Sequence, residues 1–217
     1  MVFLDIGGVV YDDAPFARAI LLALRELGAD VHDAEFAVAY DELRQRQIAI
    51  ARGLAARFLP EGEDWHRYRA RIAAHWDHPP EALYPDVRDC LSRLRGAYRL
   101  GVIANQERAV LDAMARDGLA ASFEVLAISG VLGVEKPDPR IYEAAVAMAG
   151  VPPGRAVHVG NRLDTDVRPA RSVGLRTVWV LRGEAPPSPT PEQLAEPDGW
   201  VRSLADLPEL LDRLATA

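Results

Sequence analysis

The sequence predicts an α/β fold: an open parallel sheet with helices on both faces, and a small helical module inserted after the first strand. Three observations carry this. Five short runs rich in Val, Ile and Leu have the length of buried strands and are too short for free-standing helices. The later runs alternate with stretches of helical period, and that alternation builds a parallel sheet covered on both sides. Between the first and second runs, residues 14–82 hold no strand-like segment, and apolar residues recur there at helical spacing.

The first strand falls at residues 1–6. In the inserted module, Ala17, Ile20, Leu21, Leu24 and Leu27 form one apolar stripe, and Trp65, Tyr68, Ile72 and Trp76 another. Three or four helices closing on a common core account for both stripes. Pro79, Pro80 and Pro85 mark the return to the sheet, which places the core in residues 1–13 and 83–217 and the module in 14–82. The remaining strands fall at 99–104, 125–129, 156–160 and 176–181, with helices at 86–95, 107–117, 139–149 and 166–173. Asp138, Pro139 and Gly150 give the third of these helices a cap, a first-turn proline and a stop. Five prolines between Gly183 and Gly199 predict an extended surface loop. A short strand near Trp200 and a helix over 204–214 close the chain.

At 217 residues the chain is long enough for one ordinary domain plus a small insertion. With 25 Lys and Arg against 32 Asp and Glu, the net charge of -7 gives no general attraction to nucleic acid or anionic lipid. No run approaches the roughly 20 apolar residues of a membrane span, and Asp5 interrupts any signal-peptide pattern. The single cysteine, Cys90, excludes an internal disulfide and sits with Val87, Leu91 and Leu94 at helical spacing, as a packing residue does. A soluble, cytoplasmic protein is expected; nothing in the sequence sets its oligomeric state.

In an open parallel sheet, ligands bind beyond the carboxyl ends of the strands. Four segments lie there: Asp5, Ile6, Gly7 and Gly8; Ala104 and Asn105; residues 133–138; and Gly160, Asn161, Asp164 and Asp166. A carboxylate followed by two glycines lets a phosphate or cation approach the backbone closely. Lys136 is the only lysine among 25 basic residues, and it stands in one of these loops, where a compact ammonium serves as a point charge. Asn161, Asp164 and Asp166 offer the oxygen ligands a hard cation such as Mg²⁺ takes, although Asp164 or Asp166 could equally cap a helix. Neither GxGxxG nor GxxxxGK[ST] is present. The seven arginines Arg44, Arg46, Arg52, Arg57, Arg67, Arg69 and Arg71 read as solvated helix faces. His66, His75 and His78 lack the partners of a zinc site, and His158 reads as a core histidine.

In their order and spacing these segments resemble the haloacid dehalogenase (HAD) superfamily of hydrolases over nearly the whole chain. The resemblance runs from Asp5 through the inserted helical cap to Leu83, Tyr84, Pro85, Asp86 and Val87. It continues through Leu100 to Asn105, through Gly133 to Pro137, and from Val159 to Asp166, ending at Gly174 and Leu175. It implies a Rossmann-like core and a Mg²⁺-dependent phosphatase of small phosphorylated metabolites. Asp5 would be the nucleophile that becomes an aspartyl-phosphate, and Lys136 the cation neutralising it. Backbone groups of Gly7, Gly8 and Asn105 would position the phosphoryl group. Asp5, the Gly7 carbonyl, Asn161 and Asp166 would hold the metal, beneath a cap that selects substrate. Three positions depart from the family pattern: Gly7 replaces the usual acid–base Asp, Ala104 a hydroxyl residue, and Asn161 a metal-binding Asp. Asp12, directly after strand one, is the candidate substitute proton donor, unless the leaving group is acidic enough to depart unaided. A metal-independent 2-haloacid dehalogenase-type hydrolase and a catalytically impaired phospho-ligand or protein-binding module stay open beside the phosphatase reading.

Overall fold

The computed structural model describes residues 1–216. Six strands form one sheet: β1 (Val2–Leu4), β2 (Leu100–Ala104), β3 (Val125–Ile128), β4 (Val157–Gly160), β5 (Arg176–Val180) and β6 (Gly199–Val201). All pairings are parallel, in the order β3-β2-β1-β4-β5-β6. Strand β1 is buried throughout because both faces of the sheet are covered. Val2 and Leu4 pack with Val87, Leu91, Met114 and Leu207 on one side. Phe3 packs with Ile141, Tyr142 and Ala145 on the other.

Four helices follow β1: α1 (Ala14–Glu26), α2 (Asp33–Arg46), α3 (Ile50–Phe58) and α4 (Trp65–His75). Their stripes close on a common apolar cluster that includes Ile20, Leu24, Leu54, Tyr68 and Ile72. The core helices are α5 (Val87–Leu94), α6 (Val110–Arg116), α7 (Ser129–Leu132), α8 (Pro139–Ala149), α9 (Arg168–Ser172), α10 (Pro191–Leu194) and α11 (Leu207–Thr216). Helix α8 starts and stops as its sequence requires. Asp138 accepts the Arg140 amide at 2.9 Å, and Gly150 ends the helix in the left-handed region at φ 65°. Cys90 is buried on α5. No helix among the described residues is long and apolar enough to cross a membrane.

Two expectations need correction. The helix expected over 166–173 opens with a π-helical turn, Leu163–Val167, and only then continues as α9, so Asp166 lies inside a widened turn instead of capping a helix. The segment 183–199 is not simply a surface loop. Glu184 and Ala185 are buried, and α10 lies within it. Its composition describes its exposed part; the start of the segment straps the sheet to the helical module.

Strand β1 lies between β2 and β4, where the order of the strands reverses, so a crevice opens at the carboxyl ends there. Arg182, just past β5, fixes the loop that follows β1. Its guanidinium donates to the carbonyls of Gly8 and Val9, stacks on Tyr84, and pairs with Asp86 at 2.7 Å. The same Asp86 oxygen accepts the Ser203 hydroxyl at 2.7 Å and the Leu204 amide at 2.9 Å. Burial opposes the Asp86 charge, but the Arg182 and Ser203 donors outweigh it and hold its pKa below the usual carboxylate value. Asp86→Ala is therefore expected to lower stability by about 1.5–3 kcal/mol at neutral pH. A depressed folded pKa stabilises above the unfolded value and is lost as pH falls through the folded one, so the gap should narrow in acid. Denaturant midpoints at pH 7 and pH 3 check this; equal midpoints at pH 7 would rule it out.

Candidate active site

Asp5 leaves the end of β1 buried, with its backbone amide donated to Val159 of β4 at 2.8 Å. Lys136 reaches it from the loop after α7, its Nζ lying 2.8 Å from Asp5 Oδ1 and 2.5 Å from Asp166 Oδ1. The lysine backbone is clamped by Asn105. The Asn105 amide nitrogen donates to the Lys136 carbonyl at 2.9 Å, and its oxygen accepts the Lys136 amide at 2.7 Å. Asp166 also accepts the Arg162 amide through its other oxygen, at 2.9 Å, and lies 3.3 Å from His158 Nε2. The sole lysine of the sequence thus joins two buried carboxylates with one ammonium.

The two carboxylates respond differently to that shared cation. For Asp5, burial outweighs the pull of Lys136 and pushes the pKa up to about 6. For Asp166, burial again opposes the charge, but the closer Lys136 and the His158 contact pull the pKa below the ordinary range. Lys136 itself resists burial through Asp166 and Asp5 and is held above the usual lysine value. His158 is driven toward neutrality by burial; its Nδ1 has no partner, so it is a core histidine only half satisfied.

Asp12 and Asp13 part company at the start of α1. Asp12 is exposed, and its Oδ1 accepts the Ala14 amide at 3.0 Å, a helix-start role that takes it out of the cavity. Asp13 is the buried one, and it lines the cavity with Asp5 and Gly7. Its Oδ2 accepts the Asn161 side-chain amide at 2.9 Å and the Glu184 amide at 3.0 Å. Its Oδ1 stands 2.7 Å from where a Cβ on Gly7 would lie. A carboxylate thus fills the space that the missing side chain at position 7 would enter, and it arrives from six residues further along. Burial, then the charges of Glu184 and Asp5, hold the Asp13 carboxyl well above the ordinary range.

The expectation for Gly8 is corrected in part. Its φ of +63° suits glycine, and a Cβ there would collide with the Asn161 and Asp13 side chains. Its amide, however, is donated to the Tyr11 carbonyl at 2.7 Å, which withdraws it from phosphate binding. Asp164 is withdrawn from metal binding in the same way, for both its oxygens accept from Arg162, at 2.9 and 2.6 Å. Asp166 has protein donors on both oxygens as well. Asp5, the Gly7 carbonyl and Asn161 remain. The Trp179 indole holds the Asn161 carbonyl at 2.9 Å and orients that residue.

A strap that the sequence reading missed ties the helical module over this floor. Glu184 accepts the Tyr40 hydroxyl at 2.9 Å and Arg162 at 2.8 Å. Gln47 donates to the Glu184 carbonyl at 2.9 Å and accepts the Leu163 amide at 2.8 Å. Asp13 could have been found from phase, because it continues the Ala17, Ile20 and Leu24 stripe backward by one turn, whereas Asp12 does not. Glu184 stands in a proline-rich stretch without periodicity, so no sequence signal marks it. Two of the cap arginines read as solvated, Arg52 and Arg69, are exposed and also line the cavity.

The parallel sheet with its switch point, the carboxylate–lysine–carboxylate bridge at the strand ends and the overlying helices together define an α/β protein with a capped acidic site. The chain belongs to the haloacid dehalogenase-like hydrolase family, whose family model matches residues 1–174. It is 43% identical over 90 residues to a phosphoserine phosphatase of Thermus thermophilus, an alignment covering 42% of this chain and 34% of that protein. It is 39% identical over 107 residues to a glyceraldehyde 3-phosphate phosphatase of Methanopyrus kandleri, covering 46% of this chain and 44% of that one. The similarity thus spans about a third to a half of these relatives. In overall shape it matches a predicted phosphoglycolate phosphatase from Haemophilus somnus at a TM-score of 0.72, with 21% identity and 97% of each chain covered.

Proposed function

We propose that this chain is a phosphatase of small phosphorylated metabolites that works through Asp5. The observation that carries the reading is the buried Asp5–Lys136–Asp166 bridge on the floor of a cavity of about 410 Å³. In this reading an Asp5 oxygen attacks phosphorus, and the bond to the leaving oxygen breaks as that oxygen takes a proton. Water then attacks the aspartyl-phosphate, gives up a proton, and releases inorganic phosphate and free Asp5. Lys136 neutralises charge on Asp5 and on the phosphoryl oxygens, and the Asn105 clamp keeps it within reach of both. The helical module 14–82 covers the floor and excludes water. The phosphatase names of the two relatives support the reaction class.

The residues around Asp5 suit a hard divalent cation. Four buried carboxylates, Asp5, Asp13, Asp166 and Glu184, face two cations, Lys136 and Arg162. Asp13, whose carboxyl is held well above the ordinary range, keeps its proton, so the excess of negative charge falls on Asp5, in a cavity that Asn161 also lines. Among the described residues no three His, Cys, Asp or Glu side chains converge as a metal cluster. Mg²⁺ is commonly held by one or two carboxylates with waters retained, so Asp5, the Gly7 carbonyl and Asn161 form a sufficient set. When bound there, Mg²⁺ supplies charge stabilisation to the phosphoryl oxygens.

Asp13 takes over the proton-donor role that the sequence assigned to Asp12, by virtue of its position beside Gly7. Asp13→Asn should reduce turnover of alkyl phosphates by about 10²–10⁴-fold while acetyl phosphate, whose leaving group needs no proton, slows far less. Asp12→Asn should leave the ratio of the two rates unchanged. A uniform loss on both substrates in the Asp13 variant would reject the donor role. The reading as a whole is tested by phosphate release from acetyl phosphate and p-nitrophenyl phosphate, with Mg²⁺ or with chelator. No release above the Asp5→Asn background would defeat it.

A further inference from the structure

The floor of the cavity is polar, but its roof is aromatic. Phe16 from α1, and Trp65 and Trp76 from α4, line it together with Ile50 and Ile72. All three aromatic side chains are only half-buried, although they belong to the apolar cluster of the module. Phe16 and Trp76 meet with ring centroids 4.6 Å apart. The Arg52 guanidinium lies over the Trp65 ring, 4.2 Å from its centroid, and has no carboxylate partner among the described residues. A structural role alone would bury these rings, as it buries Tyr68 on the same helix. Instead the module leaves ring surface facing a cavity of about 410 Å³, far more room than a phosphoryl group fills and within the size of ordinary small-molecule pockets. A phosphoryl group with a leaving group of two or three carbons would fill only part of that volume.

We infer that the substrate is a phosphate monoester whose alcohol carries a planar ring, taken up against Phe16, Trp65 and Trp76 while the phosphoryl group rests at Asp5 and Lys136. The inference rests on the phosphatase reading and narrows its substrate class. Stacking against aromatic faces favours a flat ring over a saturated one of the same bulk. Tryptophans at the two ends of α4 make the preference a property of the roof, separate from the chemistry on the floor.

The test compares benzyl, cyclohexylmethyl and ethyl phosphate, whose alcohols are all poor leaving groups, so that the ring is the main variable. Benzyl phosphate should exceed ethyl phosphate in kcat/KM by at least about tenfold, with cyclohexylmethyl phosphate between them; one stacked aromatic contact of about 1.4 kcal/mol is enough. In Trp65→Leu and Trp76→Leu, which keep apolar volume without the indole, the benzyl-to-ethyl ratio should collapse toward one. Because it is a ratio, partial loss of active protein does not imitate the effect. A wild-type ratio near one overturns the inference, and so does equal preference for the benzyl and cyclohexylmethyl esters. If acetyl phosphate is not hydrolysed either, the phosphatase reading fails first. Calorimetric titration with benzylphosphonate and ethylphosphonate then decides the pocket independently: saturable binding of the first alone upholds it, and binding of neither or both overturns it.

Discussion

Asp5→Asn is expected to abolish phosphate release, by on the order of 10⁴-fold or more, without loss of the fold. The amide keeps the size of the carboxylate and can still accept from Lys136, but it is no nucleophile toward phosphorus, so no aspartyl-phosphate forms. Trapping of beryllium fluoride should disappear with it. Stability should move the other way. Burial raises Asp5 to about 6, above its unfolded value, so at pH 7 the folded chain holds a carboxylate that its surroundings disfavour. For such a group the penalty is absent below about pH 4, grows between pH 4 and pH 6, and is constant above. The variant should therefore melt at or above the wild-type temperature at pH 7 in chelator, and the two should converge near pH 4. Melting curves over that range check the sign. A variant that melts well below wild type at pH 7 would show that Asp5 chiefly anchors Lys136.

The fold was legible because it rests on patterns that repeat. The runs at β1, β2 and β4 read as strands since both faces of the sheet are covered, and the stripe from Ala17 to Leu27 read as a helix since one face meets a core. The floor of the site was legible for a different reason. Asp5, Asn105 and Asn161 each sit at a strand end, and the topology of a parallel sheet brings such ends together. Lys136 stood out because this sequence otherwise uses arginine. What failed was everything that depends on which way a side chain turns outside a regular element. Asp12 and Asp13 are chemically the same and adjacent, and only the phase of α1 sends one to solvent and the other to Gly7. The strap through Glu184, Arg162 and Gln47 crosses 137 residues of sequence between two loops, where neither period nor composition predicts a contact. The roof was half visible. The Trp65–Trp76 stripe was read as core packing, which it is, but the open sides of those rings are set by how the module sits over the sheet.

Lys136→Met carries the second large effect, because it breaks a buried charge arrangement from the cationic side. Lys136 is almost wholly buried, and its ammonium is the partner that Asp5 and Asp166 share. Methionine fills the stem's volume but leaves two carboxylates side by side, Asp166 with the Arg162 amide and His158, and Asp5 with only the Ile6 amide. Removing one partner of a buried ion pair typically lowers stability by about 3–5 kcal/mol, which for a chain of this size is roughly 2–4 °C in Tm for each kcal/mol. The pH dependence identifies the cause. In wild type the folded lysine pKa is raised, so its contribution is complete below the ordinary lysine value and is lost only as pH rises through the folded one. Between pH 4 and pH 9 wild-type stability should not vary on its account. In the variant the two carboxylates, now without their cation, titrate above their unfolded values. The deficit should therefore be full at neutral pH and shrink as acid protonates them. Phosphate release should fall with the charge, and Lys136→Arg should not restore it. A planar guanidinium does not fit a gap spanned by contacts of 2.5 and 2.8 Å, so charge alone is not what the site requires. Restoration of turnover by arginine would mean that position 136 needs only a positive field, and the tight three-residue bridge would then be packing around the nucleophile instead of part of its chemistry.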